Sequence, residues 1–422
     1  MTASNVPTEV IRPEVADMQA IFSREALPDP YPLYERARQH GQVVDIPEWG
    51  AAALFGHEEI NAVFRSPAAL SGQQLEADVG QTAGAAGEGP LTDIQASEAL
   101  RLLTPMMLFH NGPSHARLRG LVSAAFTPRV IAEQEELVRE LVRDILSREG
   151  SREFDLVDKL AIPLPVAVIA RMLGLSVGDE DKFRTWTQSV AELLGGMDGS
   201  PELIARIDRD AREMRDYFRD LADELRARPQ PGLLSALAAA EDEEGRLSSE
   251  ELLSNAVLLL AAGHETTSNL IGRGVLALHR QEGAWAELVA LAEIGNTLAD
   301  ELLRFTSPVQ LTGRTLGTPL EIGSHTYPAG TRTMLMLAAA NRDARVFADP
   351  NRIDLQRKNA AKHLAFASGP HYCLGASLAR LETRIVFGEL ARYPQMRVPE
   401  QQLAYRPNIT LRGLSKLMVT LR

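Results

Sequence analysis

Cysteine is almost absent from the sequence: Cys373 is the only one among 422 residues. A single thiol excludes an intramolecular disulfide framework and an iron–sulfur cluster held by several cysteines of the chain. The same scarcity suits a reducing compartment, and we expect a cytoplasmic protein. Any chemistry that requires a thiol of this chain must therefore use Cys373.

Long hydrophobic runs are also absent. The longest apolar stretches, among them residues 256–262, are far shorter than the ~20 residues that a membrane-spanning helix needs. The first thirty residues include the charged side chains Glu9, Arg12, Glu14, Asp17, Arg24 and Glu25. Because these charges leave no apolar core for a signal peptide or anchor, we predict a soluble protein without a membrane segment.

Basic residues are not in excess, since the formal net charge is −12. This balance argues against a nucleic-acid-binding protein. With 45% hydrophobic and 24% charged residues, the chain is typical of a globular protein with an ample core. Its length alone allows two or three domains, or one large domain.

Local patterns predict a mainly helical fold with small sheets. Residues 43–46 and 51–55 form a plausible β-hairpin around the Pro47–Gly50 turn, and few other β signals occur. Residues 71–90 contain five glycines and are typical of a loop or a solvated linker. Helices are predicted near residues 31–39, 130–149, 164–194, 202–227 and 248–280, with a Gly-rich break at 195–201.

The region around Cys373 has the features of a reactive site. It reads Phe-Ala-Ser-Gly-Pro-His-Tyr-Cys-Leu-Gly from Phe366 to Gly375, and an apolar stripe over residues 374–386 predicts a helix directly after it. The N-terminus of a helix favours a thiolate, and Gly369 and Gly375 allow the backbone to approach a ligand of the sulfur. Cys373 is therefore a candidate nucleophile or metal ligand, whereas the simplest alternative is a buried cysteine that acts as a small hydrophobe.

A second pattern places two cationic side chains on one face of a helix. Ser114 is a candidate N-cap, and His115 and Arg119 follow it four residues apart. Two cations on one face suit an anionic ligand. Taken alone, however, the pattern favours a solvated basic face.

A third pattern interrupts the long apolar helix that the capping box Ser248–Glu251 begins. Its centre reads Ala-Gly-His-Glu-Thr-Thr over residues 262–267. A glycine costs ~1 kcal/mol in such a helix, and a carboxylate beside threonines is unfavourable in a core. Thr266 can hydrogen-bond to the preceding turn and Glu265 can carry protons, although a partly exposed polar turn is the alternative.

These patterns together resemble the cytochrome P450 family. The family's haem-binding loop, Phe-x-x-Gly-x-x-x-Cys-x-Gly, is matched by Phe366, Gly369, Cys373 and Gly375. The resemblance implies the cytochrome P450 fold, haem b (iron protoporphyrin IX) as cofactor and Cys373 as the thiolate ligand of its iron. Ala367 departs from the family, in which bacterial members often have glycine.

The resemblance also implies roles for the other candidate residues. Glu265 and Thr266 match the family's acid and alcohol pair, which supplies protons during dioxygen activation. Ala262 and Gly263 would leave room for the cofactor, and Phe366 and Gly375 would pack around the ligand loop. Residues implied at the haem propionates are His115, Arg119, Arg314 and His371.

Further matches extend the resemblance to residues 29–422, read as one domain after an extension of residues 1–28. Glu301 and Arg304 match the family's buried Glu-x-x-Arg pair, and Arg357 matches the arginine that joins it. Ile353 replaces the usual aromatic residue, so packing of that segment is expected to differ.

The resemblance implies a monooxygenase that inserts one atom of dioxygen into an apolar small molecule. Electrons would come from a ferredoxin and its reductase, because the chain holds no flavin or nicotinamide domain. We expect a monomer without nucleic-acid or membrane partners. A peroxide-driven haem enzyme, a cysteine hydrolase using Cys373 with His371, and a haem-based ligand sensor are the alternatives, and the substrate's identity is not legible.

Overall fold

The computed structural model describes residues 12–72, 98–123, 126–175, 178–195, 200–230, 232–239, 241–242, 245–291 and 293–421. Helices dominate the chain, as predicted. Their bounds are α1 (Pro13–Ile21), α2 (Tyr31–Arg38), α3 (His57–Arg65), α4 (Glu98–Leu103), α5 (Gly112–Ser123), α6 (Pro128–Ala132), α7 (Glu135–Glu149), α8 (Pro163–Leu173), α9 (Glu180–Gly195), α10 (Pro201–Ala227), α11 (Leu233–Ala239), α12 (Ser249–Arg280), α13 (Ala284–Ala290), α14 (Asn296–Thr306), α15 (Leu337–Ala340) and α16 (Ala376–Leu390).

The strands are short. They are β1 (Val43–Ile46), β2 (Ala51–Leu54), β3 (Ala69–Leu70), β4 (Glu153–Asp155), β5 (Glu241–Asp242), β6 (Gly245–Arg246), β7 (Thr312–Leu316), β8 (Leu320–Ile322), β9 (His325–Tyr327), β10 (Arg332–Leu335), β11 (Ala404–Tyr405), β12 (Leu414–Lys416) and β13 (Met418–Thr420). The largest described sheet has the order β1-β2-β10-β7-β3. Its β1–β2 pair is the predicted hairpin, antiparallel with Val44 opposite Ala53.

The long helix α12 lies at the centre of the molecule. The Ser248 hydroxyl accepts from the Glu251 N–H while the Glu251 carboxylate accepts from the Ser248 N–H, so the predicted capping box is present. The helix packs against α8, α9, α14 and α16. Because it contacts so many neighbours, most of its surface is buried.

Two hydrophobic clusters divide α12 along its length. The apolar residues of 252–261 belong to a cluster with α8, α9 and α10. Leu270, Ile271, Val275 and later apolar residues pack in a second cluster with α7, α14 and α16. The polar residues of the 262–269 segment lie between the two clusters. The segment that the sequence marked as unusual is therefore the junction between two cores.

Several sequence-based expectations are corrected. Ser114 is not an N-cap, because α5 begins at Gly112, and the Ser114 hydroxyl instead lies 2.7 Å from Nδ1 of His110. The predicted helices over 130–149 and 164–194 are each divided in two, and the second break follows Gly174, whose φ of +80° favours glycine. The predicted loop of residues 71–90 lies outside the described residues from residue 73 onward.

The N-terminal segment is not separate from the core. In α1, Val15, Met18 and Ile21 are buried in a cluster with Tyr34 of α2 and Val44 of β1. The division of the chain at residue 29 remains a prediction. No helix among the described residues is both long and apolar enough to cross a membrane.

Candidate active site

Cys373 lies on a short loop that is closed by a backbone hydrogen bond between Cys373 and Phe366. Its N–H donates to the Phe366 carbonyl at 2.9 Å, and Gly375 forms the N-cap of α16, which begins two residues after Leu374. The Gly375 N–H donates toward the sulfur, and the charges of Arg119 and Arg380 favour the thiolate. Burial nevertheless raises the pKa of the Cys373 thiol, so the predicted low pKa is wrong for the protein alone. A metal cation that binds the sulfur would remove the proton.

The loop contains two residues with left-handed backbone conformations. Gly369 has a φ of +70°, and a Cβ there would lie 2.5 Å from the Phe64 carbonyl oxygen of α3. The glycine is therefore required both by conformation and by the close approach of another chain segment. Ala367 has a φ of +57°, which explains why a glycine suits this position in the family.

Phe366 is buried between other aromatic rings beneath the loop. Its ring centroid lies 5.2 Å from that of His363 and 6.2 Å from that of Tyr372, in both cases edge to face. The Arg380 guanidinium lies over the same ring, at 4.8 Å from its centroid. Phe366 thus contacts the loop through both its carbonyl and its ring.

The cationic candidates are brought together. The imidazole rings of His115 and His371 lie 4.0 Å apart, and Arg119 Nη2 donates to the Tyr372 carbonyl at 2.6 Å. Burial, followed by the positive charges of His115, Arg314 and Arg119, lowers the pKa of His371 to about 3. The pKa of His115 is likewise lowered by burial and then by Arg119. The charges of Arg119 and Arg314 therefore disfavour protonation of both histidines.

Arg314 belongs to this cationic group from the side of the large sheet. It projects from β7, and its guanidinium lies 5.2 Å from the Phe64 ring centroid. Burial alone lowers the pKa of Arg314 to about 10. A ligand with two carboxylates, as haem b has, would relieve the mutual repulsion and the unfavourable burial, so the donor set fits the cofactor's propionates.

At the centre of α12, one face of the helix is not covered by neighbouring residues. All residues from Leu252 to Leu276 are buried except Ala262, Gly263 and Thr266. The Thr266 hydroxyl donates to the Ala262 carbonyl at 2.8 Å, as predicted for a threonine in this position. An exposed alanine in the middle of a central helix indicates an internal space rather than solvent at the protein surface, which fits a planar cofactor. A Cβ on Gly263 would make only ordinary contact with Ile169 of α8, at 3.6 Å.

Glu265 and Thr266 are adjacent in sequence but make their hydrogen bonds in different directions. Glu265 as a whole residue is 4% exposed, and its carboxylate accepts from Asn269 Nδ2 at 3.2 Å and from the Arg406 guanidinium. Arg406 follows β11 directly, in the turn to β12. The acid is thus held by a residue that the sequence did not indicate.

Other buried polar groups near the site were also missed by sequence reasoning. Glu382 of α16 is 1% exposed, its pKa is raised to about 8 by burial, and it hydrogen-bonds with Thr267. His264 lies 2.8 Å from the Thr187 hydroxyl of α9 through Nδ1, and burial lowers its pKa to about 4. For both Glu382 and His264, the sequence offered a single indication: a polar residue within an otherwise apolar stripe of a helix.

The Glu-x-x-Arg pair lies in the interior. Both Glu301 and Arg304 are fully buried, with two N–H···O contacts of 2.7 Å between them. Arg357 Nε donates to both Glu301 oxygens at 3.0 and 3.1 Å, and Arg304 also donates to backbone carbonyls of residues 341, 350 and 352. The pair therefore fastens α14 to the segment that approaches the cysteine loop.

Comparisons with known proteins agree with this arrangement. A family model described as cytochrome P450 matches residues 294–414. Vitamin D(3) 25-hydroxylase of Pseudonocardia autotrophica is 36% identical over 411 residues, which are 95% of this chain and 96% of the relative. Cytochrome P450 monooxygenase PikC of Streptomyces venezuelae is 36% identical over 422 residues, 97% of this chain and 95% of that one.

Solved structures give the same result. Ligand-free CYP164A2 of Mycobacterium smegmatis has a TM-score of 0.84 and 36% identity, covering 96% of this chain and 100% of that chain. P450BioI, solved with a fatty-acid-ligated acyl carrier protein, has a TM-score of 0.84 and 29% identity, covering 94% and 100%. The fold and its relatives define an oxidoreductase that uses haem b. The chain belongs to the cytochrome P450 family.

Proposed function

We propose that this protein is a haem-thiolate monooxygenase that hydroxylates or epoxidises an apolar small molecule with electrons from a ferredoxin and its reductase. The observation that carries the proposal is the open face of α12, where Thr266 presents a hydroxyl beside the small residues Ala262 and Gly263. In a helix that is otherwise buried at its centre, this face provides both space and a proton donor. When bound, haem b supplies the iron chemistry that activates dioxygen.

In this proposal the residues of the chain bind and orient the cofactor. Cys373 holds the iron, and the Gly375 N–H hydrogen-bonds to its sulfur. The cationic group of His115, Arg119, Arg314 and His371 neutralises the propionates, which is supported by the unfavourable proximity of these groups to one another. Phe366 fixes the loop beneath the cofactor.

Glu265 and Thr266 would supply protons. The Thr266 hydroxyl can exchange its hydrogen bond with the Ala262 carbonyl for one to a group in the open space. Glu265 is held by Arg406, so it must act through water or after that ion pair opens. The position of Glu265 supports this role. Its carboxylate lies at the junction of two apolar cores, where packing alone would favour a hydrocarbon side chain.

The proposed electron donor approaches the surface next to Cys373. Tyr372 is 39% exposed, and Arg119 and Arg380 contact it through its carbonyl and its hydroxyl. Aromatic and arginine side chains are common in protein interfaces, and the partly buried arginines beside Tyr372 suit an acidic ferredoxin despite the negative total charge. We keep the monomeric state and the cytoplasmic location as predictions.

The proposed substrate class is apolar. Its support comes from relatives, one named vitamin D(3) 25-hydroxylase and another, from Mycobacterium bovis and 37% identical over 326 residues, named methyl-branched lipid omega-hydroxylase. Both names describe oxidation of largely hydrocarbon molecules. A library of terpenoids, fatty acids, polyketides and steroids should therefore contain ligands that shift the haem from low spin to high spin.

A carbon monoxide spectrum combined with turnover assays separates the candidate functions. The reduced holoprotein with carbon monoxide should show the thiolate-haem absorption band, and Cys373→Ala should lose it because no second cysteine is available. Product formation with dioxygen, a surrogate ferredoxin and its reductase supports the monooxygenase. Turnover with hydrogen peroxide alone indicates the peroxide-driven enzyme. A thiolate band without turnover under either condition, for any compound that shifts the spin state, indicates the sensor, and a haem-free protein that hydrolyses esters indicates the hydrolase.

A further inference from the structure

An ion pair lies behind the cysteine loop, on the side of α14 and α16. Asp300 of α14 accepts from Arg380 Nε of α16 at 2.7 Å and from His363 Nε2 at 3.2 Å. The Ala365 N–H donates to His363 Nδ1 at 3.1 Å, so Nε2 carries the imidazole proton. The side chains of Asp300, His363 and Arg380 are 7%, 1% and 18% exposed, which limits the screening of their charges by water.

Arg380 connects this ion pair to the cysteine loop. Its guanidinium carbon lies 4.8 Å from the Phe366 ring centroid, and its Nη1 donates to the Tyr372 hydroxyl at 3.4 Å. Phe366 accepts the backbone hydrogen bond of Cys373, and Tyr372 precedes Cys373 in the chain. Because side chains of a helix tilt toward its N-terminus, a residue on the second turn of α16 is well placed to reach back to this loop.

The charge of Arg380 also acts on the sulfur. Arg119 and Arg380 are the two cations that favour the thiolate of Cys373. Asp300 opposes Arg380 with a negative charge, and burial lowers the pKa of His363, so the histidine is neutral near pH 7. On this side Arg380 is therefore the cation that acts on the sulfur, and Asp300, 2.7 Å from Arg380 Nε, is the anion paired with it.

We propose that Arg380 is a positioning residue for Cys373, and that the Arg380–Asp300 pair sets the reduction potential of the iron that Cys373 holds. This inference rests on the proposed function, in which Cys373 is the iron ligand. Arg380 orients the loop through Phe366 and Tyr372. Asp300 determines how much of the Arg380 charge is felt at the sulfur.

The two partners have opposite expected effects on the potential. One-electron reduction of the ferric iron adds one negative charge to the cofactor, so a nearby cation favours the ferrous form and a nearby anion disfavours it. Arg380→Gln should therefore lower the reduction potential, and Asp300→Asn should raise it. A purely structural role predicts another result, because either substitution breaks the same ion pair and would disturb the loop in the same sense.

The experiment is a spectroelectrochemical titration of the holoenzyme at constant pH and ionic strength, with dithionite as the electron donor. At the wild-type midpoint, we expect the ferrous-to-ferric ratio to fall at least threefold in Arg380→Gln and to rise at least threefold in Asp300→Asn. For a one-electron couple, threefold corresponds to ~28 mV at 59 mV for each tenfold change. Arg392→Gln is the matched control, because it removes the same charge just beyond α16, where the residue pairs with Glu389.

Arg380→Lys separates charge from orientation. Lysine keeps the positive charge but lacks the planar guanidinium that stacks on Phe366, so the potential should stay near the wild-type value while haem loss becomes faster. Shifts of equal sign in Arg380→Gln and Asp300→Asn, or shifts no larger than that of Arg392→Gln, would overturn the inference. If Arg380→Gln does not retain haem, the change in reduction potential of Asp300→Asn is the remaining test. An unchanged potential in Asp300→Asn would then overturn the inference.

The failure of this inference can be told from the failure of the proposed function. A wild-type protein without the thiolate-haem band when reduced with carbon monoxide contradicts the assignment of Cys373 itself. A wild-type protein with that band, whose potential does not respond to the two substitutions with opposite signs, contradicts only the role of Arg380 and Asp300.

Discussion

Arg406 donates a hydrogen bond to the carboxylate of Glu265, although 141 residues separate the two in the sequence. The Glu265 side chain is 5% exposed and that of Arg406 is 20% exposed, so water has little access to the ion pair. The acid of the candidate proton-supplying pair is consequently fixed by the turn between β11 and β12. Within α12 itself, Asn269 is the described residue that also donates a hydrogen bond to this carboxylate.

Arg406→Ala should destabilise the protein, because it leaves a buried carboxylate with Asn269 as its one remaining described partner. We expect a loss of ~2 kcal/mol in the free energy of unfolding, below the value for a fully buried pair since Arg406 is partly exposed. Denaturant unfolding of the holoprotein measures it. Arg406→Lys, which retains the charge, should lose less, and an unchanged free energy in Arg406→Ala would show that the pair is not structural.

Thr266→Ala should uncouple dioxygen consumption from product formation. The substitution removes the hydroxyl on the open face of α12 while leaving cofactor contacts elsewhere intact, so haem content and substrate binding should change little. The ratio of product to reduced cofactor consumed should fall severalfold, with hydrogen peroxide released in its place. Thr266→Ser keeps a hydroxyl and should retain most of the coupling. Equal coupling in Thr266→Ala and wild type would assign Thr266 a structural role.

His115→Ala and Arg119→Ala should each loosen the cofactor without changing its axial ligand. Each substitution removes one proposed partner of a propionate, and a charge-assisted hydrogen bond contributes ~1.5 to 3 kcal/mol, so haem should dissociate at least about tenfold faster. Transfer of haem to an excess of apomyoglobin measures the rate. Arg117→Ala is the control, because Arg117 lies on the same helix but pairs with Glu251. Haem retention as long as that of the control would contradict the propionate assignment.

Stability should fall with acid partly through His264. Burial lowers the pKa of this histidine from its ordinary 6.5 to about 4, so between these values the unfolded chain binds a proton that the folded protein does not. The stabilising contribution is therefore present above pH 6.5 and is lost as the pH falls toward 4. Between pH 7.5 and pH 5 it amounts to about 2 kcal/mol.

The measurement compares the pH dependence of unfolding in wild type and His264→Gln. Glutamine is neutral throughout this range and can still hydrogen-bond to Thr187, so its stability should decline less steeply with acid. The free energies of unfolding of the two proteins should approach each other as the pH falls. Parallel curves over this range would exclude His264 as a source of the acid sensitivity.

The cysteine loop should respond in opposite directions to two small substitutions. Ala367→Gly should stabilise the holoprotein by roughly 1 kcal/mol, because it relieves a left-handed conformation with φ of +57°. Gly369→Ala should destabilise it, since the new Cβ would lie 2.5 Å from the Phe64 carbonyl oxygen. Thermal unfolding followed at the haem absorption band measures both, and a stabilised Gly369→Ala would contradict the loop geometry.

The sequence by itself determined those features that have local causes. The capping box at Ser248 placed the start of α12 correctly, and the Val43–Ile46 strand with its turn predicted the first hairpin. These signals work because a cap, a turn and an apolar period are each completed within a few residues. The cysteine loop could be recognised from the sequence for the same reason, because its glycines and its cysteine lie within ten residues.

Only the tertiary structure decided how these pieces meet. The pairs Arg406–Glu265, Arg380–Asp300 and Glu382–Thr267 join residues distant in sequence, so no local pattern indicates them. The thiol of Cys373 is the clearest example. Its position before a helix predicts a depressed pKa, but the burial that raises this pKa comes from surrounding segments that only the folded chain brings together.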